Sequence, residues 1–145
     1  MIYKKYKKLD YNTEDLEVLS NSELKKVADY SLRQYLLRRE GSNNYIHCPL
    51  KNKFYPIEVM EVAHFIDRGI MNTRYDLCNC HLISKASNSF DAQVQKEGYK
   101  SLHHYDYEQY LGEQIVKDLR ERSKELKIFY KEDYIKVINK FRNNE

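Results

Sequence analysis

The sequence predicts an α+β fold, with a small strand-bearing middle between helical flanks. Three observations predict it. Leu24, Val27, Ala28, Leu32, Tyr35 and Leu36 recur at helical spacing early in the chain. Short runs bounded by turn residues follow, among them the alternating Val62 to Ile66. The chain then returns to helical spacing, with Tyr107, Leu111, Ile115 and Leu119 four apart and Tyr134, Val137, Ile138 and Phe141 along one side. At 145 residues one domain is expected, long enough to bury a sizeable core.

Residues 1–19 read as a basic, partly ordered lead-in, with Lys4, Lys5, Lys7 and Lys8 crowded together. Ser20-Asn21-Ser22-Glu23 matches a capping box, and Gly41 marks the far end, so a helix is predicted over 20–41. The middle, 45–95, starts with strand candidates Tyr45–Cys48 and Phe54–Tyr55 around a turn at Pro49–Lys53. In the Val62 to Ile66 strand, Val62, His64 and Ile66 share one face while Ala63 and Phe65 share the other. Gly69 to Asn79 reads as mostly loop. Leu82 to Val94 reads as a helix with Ser84, Ser87, Asn88 and Asp91 along one side. The region 105–145 reads as two core-facing helices, with Leu126 close to the stripe of the first.

Composition excludes several classes. Three cysteines without a leader's apolar stretch argue against a disulfide framework, and no apolar run approaches membrane-spanning length. An intracellular, soluble protein with no membrane partner is expected. Fourteen tyrosines and no tryptophan give it burial with many polar tips. A net charge of +3 is compatible with a polyanionic partner without requiring one. Arg33, Arg38 and Arg39 lie close together on the first helix and are candidate nucleic-acid contacts.

The chemistry concentrates between Met60 and Asn88. His64 ends the alternating strand, Asn79 lies in the following loop, and Asn88 comes nine residues later. In a hairpin-then-helix unit these supply a base, an amide that fixes the loop, and an oxygen ligand for a metal. Phosphodiester hydrolysis needs such a set: a histidine near neutrality deprotonates water, and one Mg²⁺, which asks for few protein ligands, stabilises the phosphate charge.

Four segments, in order, resemble the HNH or His-Me finger nucleases, and among them the phage NinG/Rap recombination proteins. S-L-R-Q-Y-L-L-R-R-E (Ser31 to Glu40) resembles that family's basic helix. A-H-F-I-D-R (Ala63 to Arg68) resembles its G-H-F-I-S-R, and R-Y-D-L-C-N (Arg74 to Asn79) its R-[FYW]-D-x-x-N. Y-E-Q-Y-L-G (Tyr107 to Gly112) resembles its C-terminal part, so the likeness runs from about Ser20 onward.

The resemblance implies a small ββα-metal finger flanked by helices. It implies a phage-encoded endonuclease in the bacterial cytoplasm, using Mg²⁺ or Mn²⁺ on branched, flapped or single-stranded DNA. His64 would be the general base, Asn79 the central loop Asn and Asn88 the metal ligand. Arg68 and Arg74 would face the phosphates. Ala63 stands where many HNH proteins carry a second ligand, which implies a one-ligand metal site.

The chain departs from that family at its two zinc knuckles. Cys48-Pro49-Leu50-Lys51 keeps one cysteine of a pair, and Ser84-Lys85-Ala86-Ser87 keeps none. Structural zinc takes four closed nitrogen or sulfur ligands, so structural Zn²⁺ is not expected at the ordinary site. A site rebuilt from His47, Cys48, Cys78, Cys80 and His81 is disfavoured, and packing of Tyr45, Phe54, Tyr55 and Ile83 is expected to hold the knuckle instead. Asp76 is expected to be a loop-fixing acceptor, while His81, His103 and His104 are expected to lie outside the chemistry. Two rivals stand beside the nuclease: a catalytically inactive DNA-binding or recombination-accessory protein on the same scaffold, and a module acting through protein contacts of its Tyr-rich helices. A homodimer is compatible with the first reading, although no heptad run dictates one.

Overall fold

The computed structural model describes residues 8–41, 44–88 and 102–144. Within them the fold is mixed α+β, with helices around two small antiparallel hairpins.

Helix α1 (Asn21–Glu40) begins at the expected capping box: the Ser20 hydroxyl accepts from the Glu23 N–H, and the Glu23 carboxylate accepts from the Ser20 N–H. It ends at Gly41, where a Cβ would lie 2.4 Å from the Leu37 carbonyl oxygen. Its apolar stripe is fully buried at Leu24, Val27, Ala28 and Leu36. That stripe packs against the last helix, α6 (Lys131–Arg142), with the Tyr35 and Phe141 rings 5.4 Å apart. Tyr134, Ile138 and Phe141 face the core, as their spacing predicted.

The first hairpin pairs β1 (Tyr45–Cys48) with β2 (Lys53–Pro56). The second pairs β3 (Met60–His64) with β4 (Cys80–Ser84), setting His64 opposite Cys80. Between β3 and β4 the chain makes a one-turn helix, α2 (Met71–Arg74), within the stretch expected to be mostly loop. The predicted helix from Leu82 also needs correction. Residues 82–84 are strand, and helix begins only at residues 85–88 (α3), while the rest of the expected helix lies outside the described residues. The strand wins because Leu82 and Ile83 are fully buried on the β3 pairing and β4 packs against β1.

The four-residue repeat after Tyr107 is two helices rather than one. Helix α4 (Leu102–Leu111) stops at Gly112 and α5 (Glu113–Ser123) starts beyond it. Gly112 has φ 86° and ψ 157°, backbone that side-chain-bearing residues avoid. The break rotates the stripe. Val116 and Leu119 are buried, but Ile115 is exposed and Leu126, expected near the core, is 96% exposed.

The described part of the lead-in, residues 8–19, is tied to the rest of the fold. Leu16 is buried, and Arg142 donates to the carbonyls of Thr13 and Tyr11. Lys4, Lys5 and Lys7 lie outside the described residues. Among the described residues no helix is long and apolar enough to cross a membrane.

Candidate active site

The β3–β4 hairpin and its connecting loop position the candidate site. Ala63 and Phe65 point into the core, which leaves Val62 and His64 on the part-exposed side of β3. A cleft of about 700 Å³ opens there, and both His64 and Asn88 line it. Lys26, Asp29 and Arg33 from α1, Glu61 from β3, and Asp67 and Arg68 from the loop complete its charged lining.

The geometry of His64 fixes its tautomer. Nε2 lies 2.9 Å from the Arg74 carbonyl oxygen. A carbonyl only accepts, so Nε2 carries the proton and Nδ1 keeps the lone pair. No described residue bonds Nδ1. Burial lowers the imidazole below its ordinary pKa; the nearby Arg74 and Arg68 charges add to that, against the Arg74 carbonyl and Asp29. His64 is therefore a neutral, oriented acceptor at neutral pH. The same carbonyl accepts from the buried Cys80 thiol, whose ionisation burial suppresses.

Asn79 is fully buried and closes the loop with its whole amide. Oδ1 accepts from the Ile66 N–H at 2.7 Å, and Nδ2 donates to the carbonyls of Ile66 and Thr73 at 3.1 and 3.0 Å. It thereby sets the path of the segment that carries the Arg74 carbonyl to His64. Asp76 fixes the same loop, accepting from the Cys78 N–H and pairing with Arg122 of α5. Asn88, on α3, donates its amide to the Glu61 carboxylate.

The arginines divide. Arg68 lines the cleft, and among the described residues its side chain makes no hydrogen bond or ion pair. Arg74, expected at the phosphates, is a structural clamp. Its guanidinium is almost wholly buried, bidentate to Asp29 at 3.0 and 2.6 Å, and donates a third bond to the Arg68 carbonyl. The three arginines of α1 are likewise engaged. Arg33 lines the cleft but donates to the Met60 and Ile57 carbonyls. Arg38 donates to the Phe141 carbonyl and Asn144, latching α1 to the end of α6. Arg39 pairs with Glu40 and lies over the Tyr35 ring. Arg33, Arg38, Arg39 and Arg74, the candidate DNA contacts, thus all have partners within the fold.

At the knuckle positions Ser84 donates to Ser87 at 2.9 Å, and Cys48 is buried with Ile46 and Ile83. Ile46 takes the packing role expected of Tyr45 and Phe54, which are exposed. Within the rebuilt-zinc set His47 and His81 line one cavity, but His47 bonds Asn52, His81 bonds the Tyr107 hydroxyl, and Cys78 is exposed. Among the described residues no group of three His, Cys, Asp or Glu converges to hold a metal. His104 stacks on Phe65, with ring centroids 4.8 Å apart. The His103 side chain lies outside what is described.

Sequence reasoning missed Glu61 and Asp29. Glu61 precedes His64 by three residues on a strand, which gives no periodic signal linking it to Asn88. Asp29 reads as the helical i,i+4 partner of Arg33, a local pairing that masks its long-range partner Arg74.

Comparison with protein-family models, curated proteins and solved structures finds no match for this chain.

Proposed function

We propose that this protein is a metal-dependent endonuclease of the HNH type that cleaves DNA phosphodiesters. The observation that carries the reading is the His64 tautomer, with Nε2 tied to a main-chain carbonyl and Nδ1 left as an acceptor in the cleft that Asn88 also lines. The order β3, loop, β4, α3 follows that of a ββα-metal finger and supports the same assignment. The resemblance to NinG/Rap proteins extends the proposal to branched, flapped or single-stranded DNA and to phage recombination in a bacterial host.

The donor chemistry fits Mg²⁺ or Mn²⁺. Asn88 and the neighbouring Glu61 offer hard oxygen atoms, with no thiol or second imidazole among the cleft residues. Asn88 would hold the ion, which supplies charge neutralisation at the phosphate and the leaving oxygen when bound. His64 Nδ1 takes the proton of the attacking water. Asn79 keeps the loop, and with it the His64 orientation, fixed. Arg68 contacts a non-bridging phosphate oxygen.

The cleft's charge balance argues for metal dependence. Asp29, Glu61 and Asp67 face Lys26, Arg33 and Arg68, so the lining offers a polyanion no surplus of positive charge. A purely DNA-binding accessory role calls for such a surplus. Cleavage assays on branched, single-stranded and linear DNA with Mg²⁺, Mn²⁺ or EDTA test the proposal. The wild type is expected to cut only with metal, and His64→Ala to lose about 10²- to 10⁴-fold in rate. Binding without metal-dependent cutting on every substrate rejects the nuclease in favour of the accessory protein.

One observation favours a second reading, action through protein contacts. Tyr105, Tyr110, Ile115 and Leu126 are exposed along and beyond α4 and α5. Self-association through that face, including a homodimer, is tested by sedimentation of the wild type against Leu126→Asp.

A further inference from the structure

We infer that Glu61 is a positioning residue: its carboxylate holds the Asn88 amide in the one orientation that offers oxygen, rather than NH₂, to a divalent cation. The inference rests on the metal-dependent reading above and assigns that site a residue outside the His-Asn-Asn set.

A primary amide has one donating end and one accepting end, and a half-turn about its last bond exchanges them. The partner decides which orientation is populated. Among the described residues the side-chain partner of Asn88 is the Glu61 carboxylate. An ionised carboxylate only accepts, so the end facing it is Nδ2. Oδ1 is left without a described donor. The reverse orientation sets Oδ1 against a negative oxygen and loses the hydrogen bond.

Cations such as Mg²⁺ and Mn²⁺ take oxygen and not an amide NH₂. Without Glu61 both amide orientations are open, and only one is competent. Glu61 also ties two elements together. It lies on β3, opposite Ile83 and on the strand that ends in His64, whereas Asn88 lies on α3. The contact therefore sets the ligand's place relative to the base as well as its orientation. Outer-sphere partners of this kind typically change metal affinity 10- to 100-fold when removed.

The test measures Mn²⁺ binding by the full chain without nucleic acid, from the loss of the free-ion electron paramagnetic resonance signal. Melting temperature and DNA cleavage are read on the same preparations. Glu61→Ala is expected to weaken Mn²⁺ binding about 10- to 100-fold while its melting temperature stays close to that of the wild type. The double variant E61Q/N88D reverses the polarity of the contact: the Gln amide donates, and the Asp keeps one oxygen for the ion. It is expected to bind Mn²⁺ more tightly than Glu61→Gln alone, whose amide can donate to Oδ1 and turn the wrong end of Asn88 to the ion. It also keeps the inference testable should Glu61→Ala fail to fold. A wild type that binds and cuts, beside a Glu61→Ala that binds Mn²⁺ equally well, overturns the role of Glu61 and leaves the nuclease standing. So does a double variant that binds no better than Glu61→Gln. A wild type that neither binds Mn²⁺ nor cuts DNA overturns the functional reading, and the role of Glu61 with it.

Discussion

Asn79→Ala separates the stability of the loop from its chemistry. The substitution removes three hydrogen bonds from a fully buried position. The Ile66 N–H loses its acceptor, while the Ile66 and Thr73 carbonyls each lose a donor. A buried group left unpaired costs about 1–3 kcal/mol, and the carbonyls recover part of their loss from water, so the sum is about 3 kcal/mol. At roughly 3–4 °C per kcal/mol for a chain of this length, the melting midpoint falls by about 10 °C. Thermal and urea unfolding followed by circular dichroism measure this directly. Asn79→Asp sharpens the test, since it keeps the acceptor for Ile66 but turns a carboxylate oxygen towards two carbonyls. That variant is expected to be at least as unstable at neutral pH and to recover as acid protonates the new carboxyl. An Asn79→Ala protein within about 0.5 kcal/mol of the wild type refutes the argument, because surface substitutions alone have effects that small.

Four further outcomes are expected. Burial holds His64 and His81 neutral, with His81 pushed down to about 4, so the unfolded chain takes up protons first as pH falls below about 6.5. Stability is then full above that value and declines towards pH 4, a slope that His81→Gln flattens in urea titrations. The acid limb of kcat/KM for cleavage has its midpoint below the ordinary histidine value. Asp29→Ala strands the buried Arg74 guanidinium; Asp29 itself is 40% exposed, so the cost is about 2 kcal/mol rather than that of a fully buried pair. Gly112→Ala is destabilising by about 1–3 kcal/mol by denaturant titration, because its φ of 86° admits glycine and little else.

Some of this architecture is legible in the sequence because its causes are local. The Ser20–Glu23 capping box, the stripe from Leu24 to Leu36 and the first hairpin each follow from neighbours in the chain. Strand β4 was not legible. Leu82 and Ile83 suit either a helix or a strand, and the choice was made by pairing with β3 some twenty residues earlier. The stripe through Tyr107 and Ile115 kept its period across Gly112, but the backbone there turns and takes Ile115 out of register. At the candidate site the order His64, Asn79, Asn88 was visible, whereas the partners of the arginines were not. A sequence does not say whether a guanidinium meets a phosphate or a carbonyl three elements away.

The arginine latches bear on how this protein behaves in salt. Arg33, Arg38, Arg74 and Arg142 each donate to main-chain carbonyls, so half of the chain's eight arginines stitch the fold together. Among the described cleft residues, Lys26 and Arg68 remain as cations without a bonded partner. If both met phosphates, as the nuclease proposal has it for Arg68, they would release few counterions, a log–log salt slope of about −2 on duplex DNA. On the nuclease proposal, its grip on nucleic acid would therefore follow divalent ions more closely than ionic strength.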